Sequence, residues 1–327
     1  MKLATLNDGS RDGRLLVVSR DLGTAVSAPK DYPTMQAALD NWAECEPELQ
    51  KLYGQLNDNT AADAFELKIE QLAAPLRRSY QYLDGACYIS HIQRNRQARG
   101  DSLPDDILDA PLVYQGISHG YMSWNDPIKL PREEDGIDFE AEIAAVTGDV
   151  PIGVSPEEAV DYIRLFVLLQ DTSLRALVPP ELKRTFGFLT SKPCSALGPI
   201  AVTPDELGNL WDGKMVHGKM NVWVRGKKFA EIESGIDSPF HYGDMIAHVA
   251  ITRPFEPGTI VGLGTVSNED DSVGCGCIGE QRAMEIIKTG EAKTPLLRFG
   301  DSLRIEHLDY EGNSIFGPIE QKVSQLQ

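Results

Sequence analysis

Cysteine is scarce and shows no pairing pattern: Cys45, Cys87, Cys194, Cys275 and Cys277 are odd in number and form no C-x-x-C. A single residue between Cys275 and Cys277 is the wrong spacing for the usual zinc knuckle, so all five read as free thiols. The opening Met-Lys-Leu-Ala-Thr-Leu-Asn-Asp lacks the apolar run of a signal peptide, and a reducing cytoplasm is the expected setting. No stretch approaches the length of a transmembrane helix. Positive charge is also short, with 31 Lys and Arg against 49 Asp and Glu and a net charge of −18. Phosphate backbones and anionic membranes are bound by concentrated positive charge, so neither nucleic acid nor a membrane is an expected partner. No G-x-G-x-x-G follows a strand pattern, which argues against a dinucleotide site. Neither Ser173 nor Ser195 has a partnered His in its sequence context, which argues against a serine hydrolase.

What is present describes a mixed, β-rich α+β protein. A chain of 327 residues suffices for one large domain and a smaller one. Residues 1–75 read as a small N-terminal domain. It begins with a hairpin-like turn at Asp12-Gly13, and Thr34 then caps a helix whose apolar stripe runs through Ala38, Leu39, Trp42, Leu49 and Tyr53. Residues 76–327 form the larger unit. There, Ser155-Pro156-Glu157-Glu158 is a helix start with Ser at the cap, and the helix is expected to end near Arg164. The run Leu165–Leu169 then reads as a buried strand that delivers Asp171 at its end. Further strands are expected at 220–224 and 229–232 around Arg225-Gly226, at 259–261, and at 303–308 turning near Gly312-Asn313 into 314–316.

The chemistry lies in acidic residues. In Ile137-Asp138-Phe139-Glu140-Ala141-Glu142 apolar and polar residues alternate as in a half-buried strand, which puts Glu140 and Glu142 on one face. Alone, such a pair is more often a solvated face, because acidic side chains are mostly exposed. In company with Asp84, Asp171 and His91 it reads as an all-oxygen metal site with a base beside it. Mg²⁺, Mn²⁺ and Ca²⁺ accept such ligands, whereas Zn²⁺ favours His and Cys. His119, His217, His241, His248 and His307 read as structural, Lys227-Lys228 as a solvated hairpin end, and Arg94 and Arg96 as part of an exposed face.

Asp84-x6-His91, Glu140-x-Glu142, Asp171-Thr-Ser-Leu-Arg175, Lys192 and Gly262-Leu-Gly-Thr265-Val-Ser, in this order and spacing, resemble the fumarylacetoacetate hydrolase family over about residues 78–327. The resemblance implies a β-roll catalytic domain, homodimeric assembly, and a divalent cation, Mg²⁺ or Ca²⁺ with Mn²⁺ as a further candidate, held by Asp84, Glu140, Glu142 and Asp171. It implies His91 as the base that activates water, with Glu280 behind it, and Arg175 and Lys192 as stabilisers of the oxyanion. Arg99, Tyr114 and Thr265 would contact the substrate. Where animal members carry a substrate-contacting Gln this chain has Val178, and where they carry a Tyr it has Ala86. The implied reaction is hydrolysis of a carbon–carbon bond in a small diketo acid, taken as fumarylacetoacetate to fumarate and acetoacetate in tyrosine and other aromatic catabolism. Acylpyruvate hydrolysis, or decarboxylation or isomerisation of a 2-oxo diacid, is the alternative on the same fold. A non-enzymatic cation-binding protein is the alternative from another class.

Overall fold

The computed structural model describes residues 1–326. Two sheets organise them. The larger runs from edge to edge through Phe65–Glu66, Thr24–Ser27, Arg14–Val18, Lys2–Leu6, Ser195–Val202, Ile163–Leu174, Ile137–Thr147, Ile260–Gly262, Tyr82–Gly85 and Val113–Gln115, with Leu72–Ala73 beside Lys2–Leu6. The smaller has the order Lys227–Glu233, Lys219–Val224, Ser302–Leu308, Ile319–Gln325, Ile128–Leu130. Lys2–Leu6 pairs antiparallel with Ser195–Val202, so the N-terminal strands extend the same sheet that carries the acidic residues. Among the described residues no helix is long and apolar enough to cross a membrane.

The two central strands, Ile137–Thr147 and Ile163–Leu174, are buried along almost their whole length. Their registration sets the site: Asp171 lies opposite Glu140, and Leu169 opposite Glu142. Phe166 anchors the core between them and the helical layer, its ring 4.8 Å from Trp211 and 5.2 Å from Tyr242.

Several expectations hold and several are corrected. Thr34 caps its helix by accepting from Ala37 N at 3.2 Å, but Asn41 divides the expected single helix into Met35–Asp40 and Trp42–Asn57. Ser155 and Glu158 form a reciprocal capping box. That helix is only Pro156–Ala159 followed by one tighter turn, and Arg164 belongs to the next strand. The β-branched and apolar run from Ile163 pairs with Ile137–Thr147 and takes over from the helix. Asp171 sits inside this strand rather than at its end. Ser314 makes only an isolated bridge to Leu308; the strand itself starts at Ile319, after Gly317-Pro318 breaks the extended run. Helices Ile89–Ala98 and Ile278–Thr289 were not expected, and they carry His91 and Glu280.

His307, read as structural, is fully buried in the smaller sheet, with Nε2 2.9 Å from Ser234 Oγ. Burial pulls its pKa down to about 3, while in the unfolded chain it returns to about 6.5. Unfolding therefore takes up a proton once the pH drops below that upper value, so stability is lost as pH falls. From about pH 7 to about pH 5 the loss should be about 2 kcal/mol. Urea unfolding should show that component in the wild type and lack it in His307→Gln. Equal pH dependence in both proteins would show that the buried ring titrates normally.

Candidate active site and metal centre

Strand geometry gathers the carboxylates. Glu140 and Glu142 project from one face of Ile137–Thr147, Asp84 from Tyr82–Gly85, and Asp171 from Ile163–Leu174, all four buried. Ile260–Gly262 runs between the Asp84 and Glu142 strands, and its last residue must be small. A Cβ on Gly262 would stand 2.8 Å from Asp84 Oδ1 and 3.0 Å from Glu142 Oε2. Gly264 follows at φ +88°, where a Cβ would meet the Gly85 carbonyl at 2.3 Å, so glycine alone lets this loop pass and deliver Thr265.

Each carboxylate has its own electrostatic setting. Lys192 Nζ donates to Glu140 Oε2 at 2.6 Å and Asp171 Oδ2 at 2.7 Å. Burial raises the Glu140 pKa, but Lys192 and Arg175 outweigh it and hold the group well below the usual range. Asp171 also accepts from Ser195 Oγ at 2.6 Å; the one Tyr114 hydroxyl proton is directed at Asp84 Oδ2, 2.5 Å away, and the same oxygen lies 3.1 Å from Asp171 Oδ2. Tyr114 thus touches two carboxylates. Burial, and then the charge of Asp171, push Asp84 up to about 7. Burial and the neighbouring Asp84 push Glu142 far above the carboxylate range.

Asp84, Glu140 and Glu142 each offer an oxygen within 4.8 Å of the others. Both Glu142 oxygens and Asp84 Oδ1 are buried with no hydrogen-bond partner. Leaving a buried polar group unsatisfied is costly, and a cation is the group that satisfies several carboxylate oxygens at once. This three-residue donor set is all oxygen, which fits a hard divalent ion; Asp171, the fourth residue expected there, lies outside it, with its oxygens engaged by Ser195 and Lys192.

Beside this cluster His91 Nδ1 meets Glu280 Oε2 at 2.8 Å. Burial raises the Glu280 pKa, yet its bonds to His91, Ser267 and Arg94 prevail and keep it ionised. An ionised carboxylate can only accept, which assigns a proton to Nδ1; on the other side of the ring Nε2 stands 3.2 Å from the Asn95 Nδ2 donor. His91, Glu140, Arg175, Lys192, Thr265 and Tyr114 line a common cavity of about 670 Å³. Its remaining wall is largely apolar, with Ile92, Leu112, Val178 and Phe188. Arg99 is exposed at its edge, 3.5 Å from Asp101.

Two residues escaped the sequence reading. Asp138 is fully buried: Oδ1 accepts from Phe139 N and Ile278 N, both at 2.9 Å, and Oδ2 from Gly279 N and Arg175 Nε, both at 2.7 Å. It ties Arg175 to the start of the Glu280 helix. The signal was its parity with Glu140 and Glu142 in D-x-E-x-E. Arg94, expected on an exposed face, is buried against Glu280, because its helix packs on Ile278–Thr289. Its spacing of three from His91 was the available sign.

Comparison with known proteins gives these features a family. Residues 81–324 match the model for the fumarylacetoacetate hydrolase C-terminal domain, and residues 1–78 match that for fumarylacetoacetase N-terminal domain 2. The chain belongs to the fumarylacetoacetate hydrolase family. An uncharacterised Pyrococcus abyssi protein is 26% identical over 179 residues, 53% of this chain and 76% of that one. Maleylpyruvate hydrolase from Sphingobium sp. SYK-6, solved with manganese(II) and pyruvate, superposes over 100% of both chains with TM-score 0.64 at 17% identity. The 5-carboxymethyl-2-hydroxymuconate delta-isomerase from Mycobacterium smegmatis does so with TM-score 0.61 at 17% identity. At this identity the likeness is one of fold.

The orphaned oxygens of Glu142 generate a direct test. Removing this carboxylate takes two of the three unsatisfied acceptors from the cluster, so Glu142→Ala should lose bound divalent metal and activity together while keeping the fold. Metal analysis and circular dichroism of the purified variant check this. Full metal occupancy at ordinary affinity would remove Glu142 from the ligand set.

Proposed function

We propose that this member of the fumarylacetoacetate hydrolase family hydrolyses a carbon–carbon bond of a 1,3-diketo acid at a divalent-metal centre formed by Asp84, Glu140, Glu142 and Asp171. Fumarylacetoacetate, giving fumarate and acetoacetate in aromatic catabolism, is the substrate we assign, and an acylpyruvate is the alternative. Mg²⁺ or Ca²⁺ is the assigned ion. Homodimeric assembly and a cytoplasmic setting belong to the same reading. One observation carries it: His91, backed by Glu280, lines the same cavity as Asp84 and Glu140 of the carboxylate cluster. Decarboxylation or tautomerisation needs an electron sink but no activated water; hydrolysis needs both.

His91 Nε2 takes a proton from water while Glu280 holds the ring and balances the charge it gains. The water oxygen bonds to one carbonyl carbon, and Lys192 and Arg175 supply positive charge for the oxyanion. The bond from that carbon to the central carbon then breaks, leaving a carboxylic acid, and the central carbon recovers a proton from His91. A divalent cation, when bound, supplies the sink for the electron pair left on the departing fragment. Tyr114 and Ser195 hold Asp84 and Asp171 in place throughout.

His91→Ala should slow diketone hydrolysis by about 10²–10⁴-fold with metal content unchanged. The check is a steady-state assay following loss of enol absorbance. An undiminished rate would place the base elsewhere and favour decarboxylation or isomerisation.

Arg99 sits at the cavity edge, where a guanidinium fork can pair with a distal carboxylate. Arg99→Leu should raise KM for a dicarboxylic diketo acid by about tenfold or more, the scale of one charge-assisted hydrogen bond, and leave KM for a matched monocarboxylic acylpyruvate nearly unchanged. Lys192→Met should instead lower kcat on both substrates, since an oxyanion contact strengthens in the transition state. Equal KM increases on both substrates in Arg99→Leu would move the assignment to a simple acylpyruvate.

A further inference from the structure

Glu280 is fully buried and divides its two oxygens between two tasks. Oε2 meets His91, while Oε1 accepts from Arg94 Nη1 at 2.7 Å and Ser267 Oγ at 2.6 Å. The Arg94 side chain is itself only 10% exposed. Its Nη1 also reaches Ser267 Oγ at 3.1 Å, and its Nη2 donates to Asp271 Oδ1 at 2.6 Å and to the Glu269 carbonyl at 3.0 Å. Ser267 is braced in turn by Ser90 Oγ at 2.7 Å. One guanidinium therefore clamps the carboxylate, the preceding loop and its own helix.

A carboxylate buried beside a neutral imidazole favours taking up a proton. Once neutral it could donate to Nδ1, which would move the ring proton to Nε2 and remove the lone pair that accepts from water. Ser267 opposes this with a hydrogen bond to the ionised form but brings no charge of its own. An arginine adds both, because it stays protonated and its planar fork fixes direction as well as charge. Asp271, which is 71% exposed, is largely solvated, so it anchors Arg94 without cancelling its charge toward Glu280.

We propose that Arg94 is the positioning residue of the His91–Glu280 pair: it keeps Glu280 ionised and oriented, so that His91 holds its proton on Nδ1 and presents Nε2 to water. The proposal rests on the reading of His91 as the base. Arg94 touches no substrate; it lines a different cavity, of about 1230 Å³, together with Ser90, Asp271 and Met284, whereas His91 faces the substrate side. A small cation from solvent therefore has a route to the place of a missing guanidinium without entering the substrate cavity.

Arg94→Ala should lower kcat by about 10- to 100-fold, the range for removing a group that orients a functional imidazole from behind, with KM and metal content little changed. Millimolar guanidinium should restore a large part of that kcat. In [¹⁵N]histidine-labelled protein, the His91 signal, identified by its loss in His91→Ala, should report the Nδ1–H tautomer in the wild type and lose it in Arg94→Ala. In the His91→Ala background Arg94→Ala should cost little more, since both act through one ring. Wild-type kcat in Arg94→Ala, a loss that guanidinium leaves untouched, an unchanged tautomer, or a full additive loss in the double variant would each overturn the proposal. Full activity of His91→Ala would instead overturn the base assignment, and the tautomer signal would still report separately on Arg94.

Discussion

Mutual repulsion among buried carboxylates is the constraint around which the large sheet is arranged. Asp84, Glu140, Glu142 and Asp171 are buried within one neighbourhood, and the cations beside them are Lys192 and Arg175. Like charges in a low-dielectric interior repel strongly, so such a group stays ionised only where opposite charge is supplied. The supply is uneven. Glu140 lies between both cations and is held ionised, while burial and neighbouring carboxylates push Glu142 and Asp84 toward protonation. That unevenness leaves the Asp84–Glu142 side of the cluster without a compensating cation among the side chains bonded to it. It also explains why Tyr114 and Ser195 are spent on carboxylates, since each donates a hydrogen bond without adding charge.

Bringing these groups together required regular backbone more than flexible loops. Antiparallel registration sets Asp171 across from Glu140, and a shift of one residue would turn the whole acidic set to the other face. The parallel pairing of Ile260–Gly262 with Tyr82–Gly85 brings Gly262 opposite Asp84 in the register, and the missing side chain there leaves room for the oxygens. Strand positions are stiff, which fixes where the carboxylates stand relative to one another.

His91 and Glu280 come from helices, and Asp138 links the Glu280 helix to the carboxylate strand. It lies two positions before Glu140 in the same strand, and it accepts the first backbone N–H groups of the Glu280 helix. Those groups have no partner within the helix and carry its positive dipole end, so a carboxylate there is favourable. The same carboxylate orients Arg175. Glu140, Glu142, Arg175 and the start of the Glu280 helix are thereby tied to one strand.

Local pattern was enough to read much of this. Alternation in 137–142 identified the strand and the shared face of its glutamates, the capping signature at Ser155 located a helix start, and the order of Asp84, His91, Glu140, Glu142, Asp171 and Lys192 pointed to the family. These are properties of neighbouring residues and of spacing, which a sequence displays directly. Tertiary structure alone decided the rest. Asp171 lies within its strand because the partner strand continues past it, and Arg94 is buried because a helix from residues 278–289 packs against its own. Burial and charge compensation depend on contacts between segments far apart in the chain. The Arg94–Glu280 pair spans 186 positions, and no local pattern could have announced it.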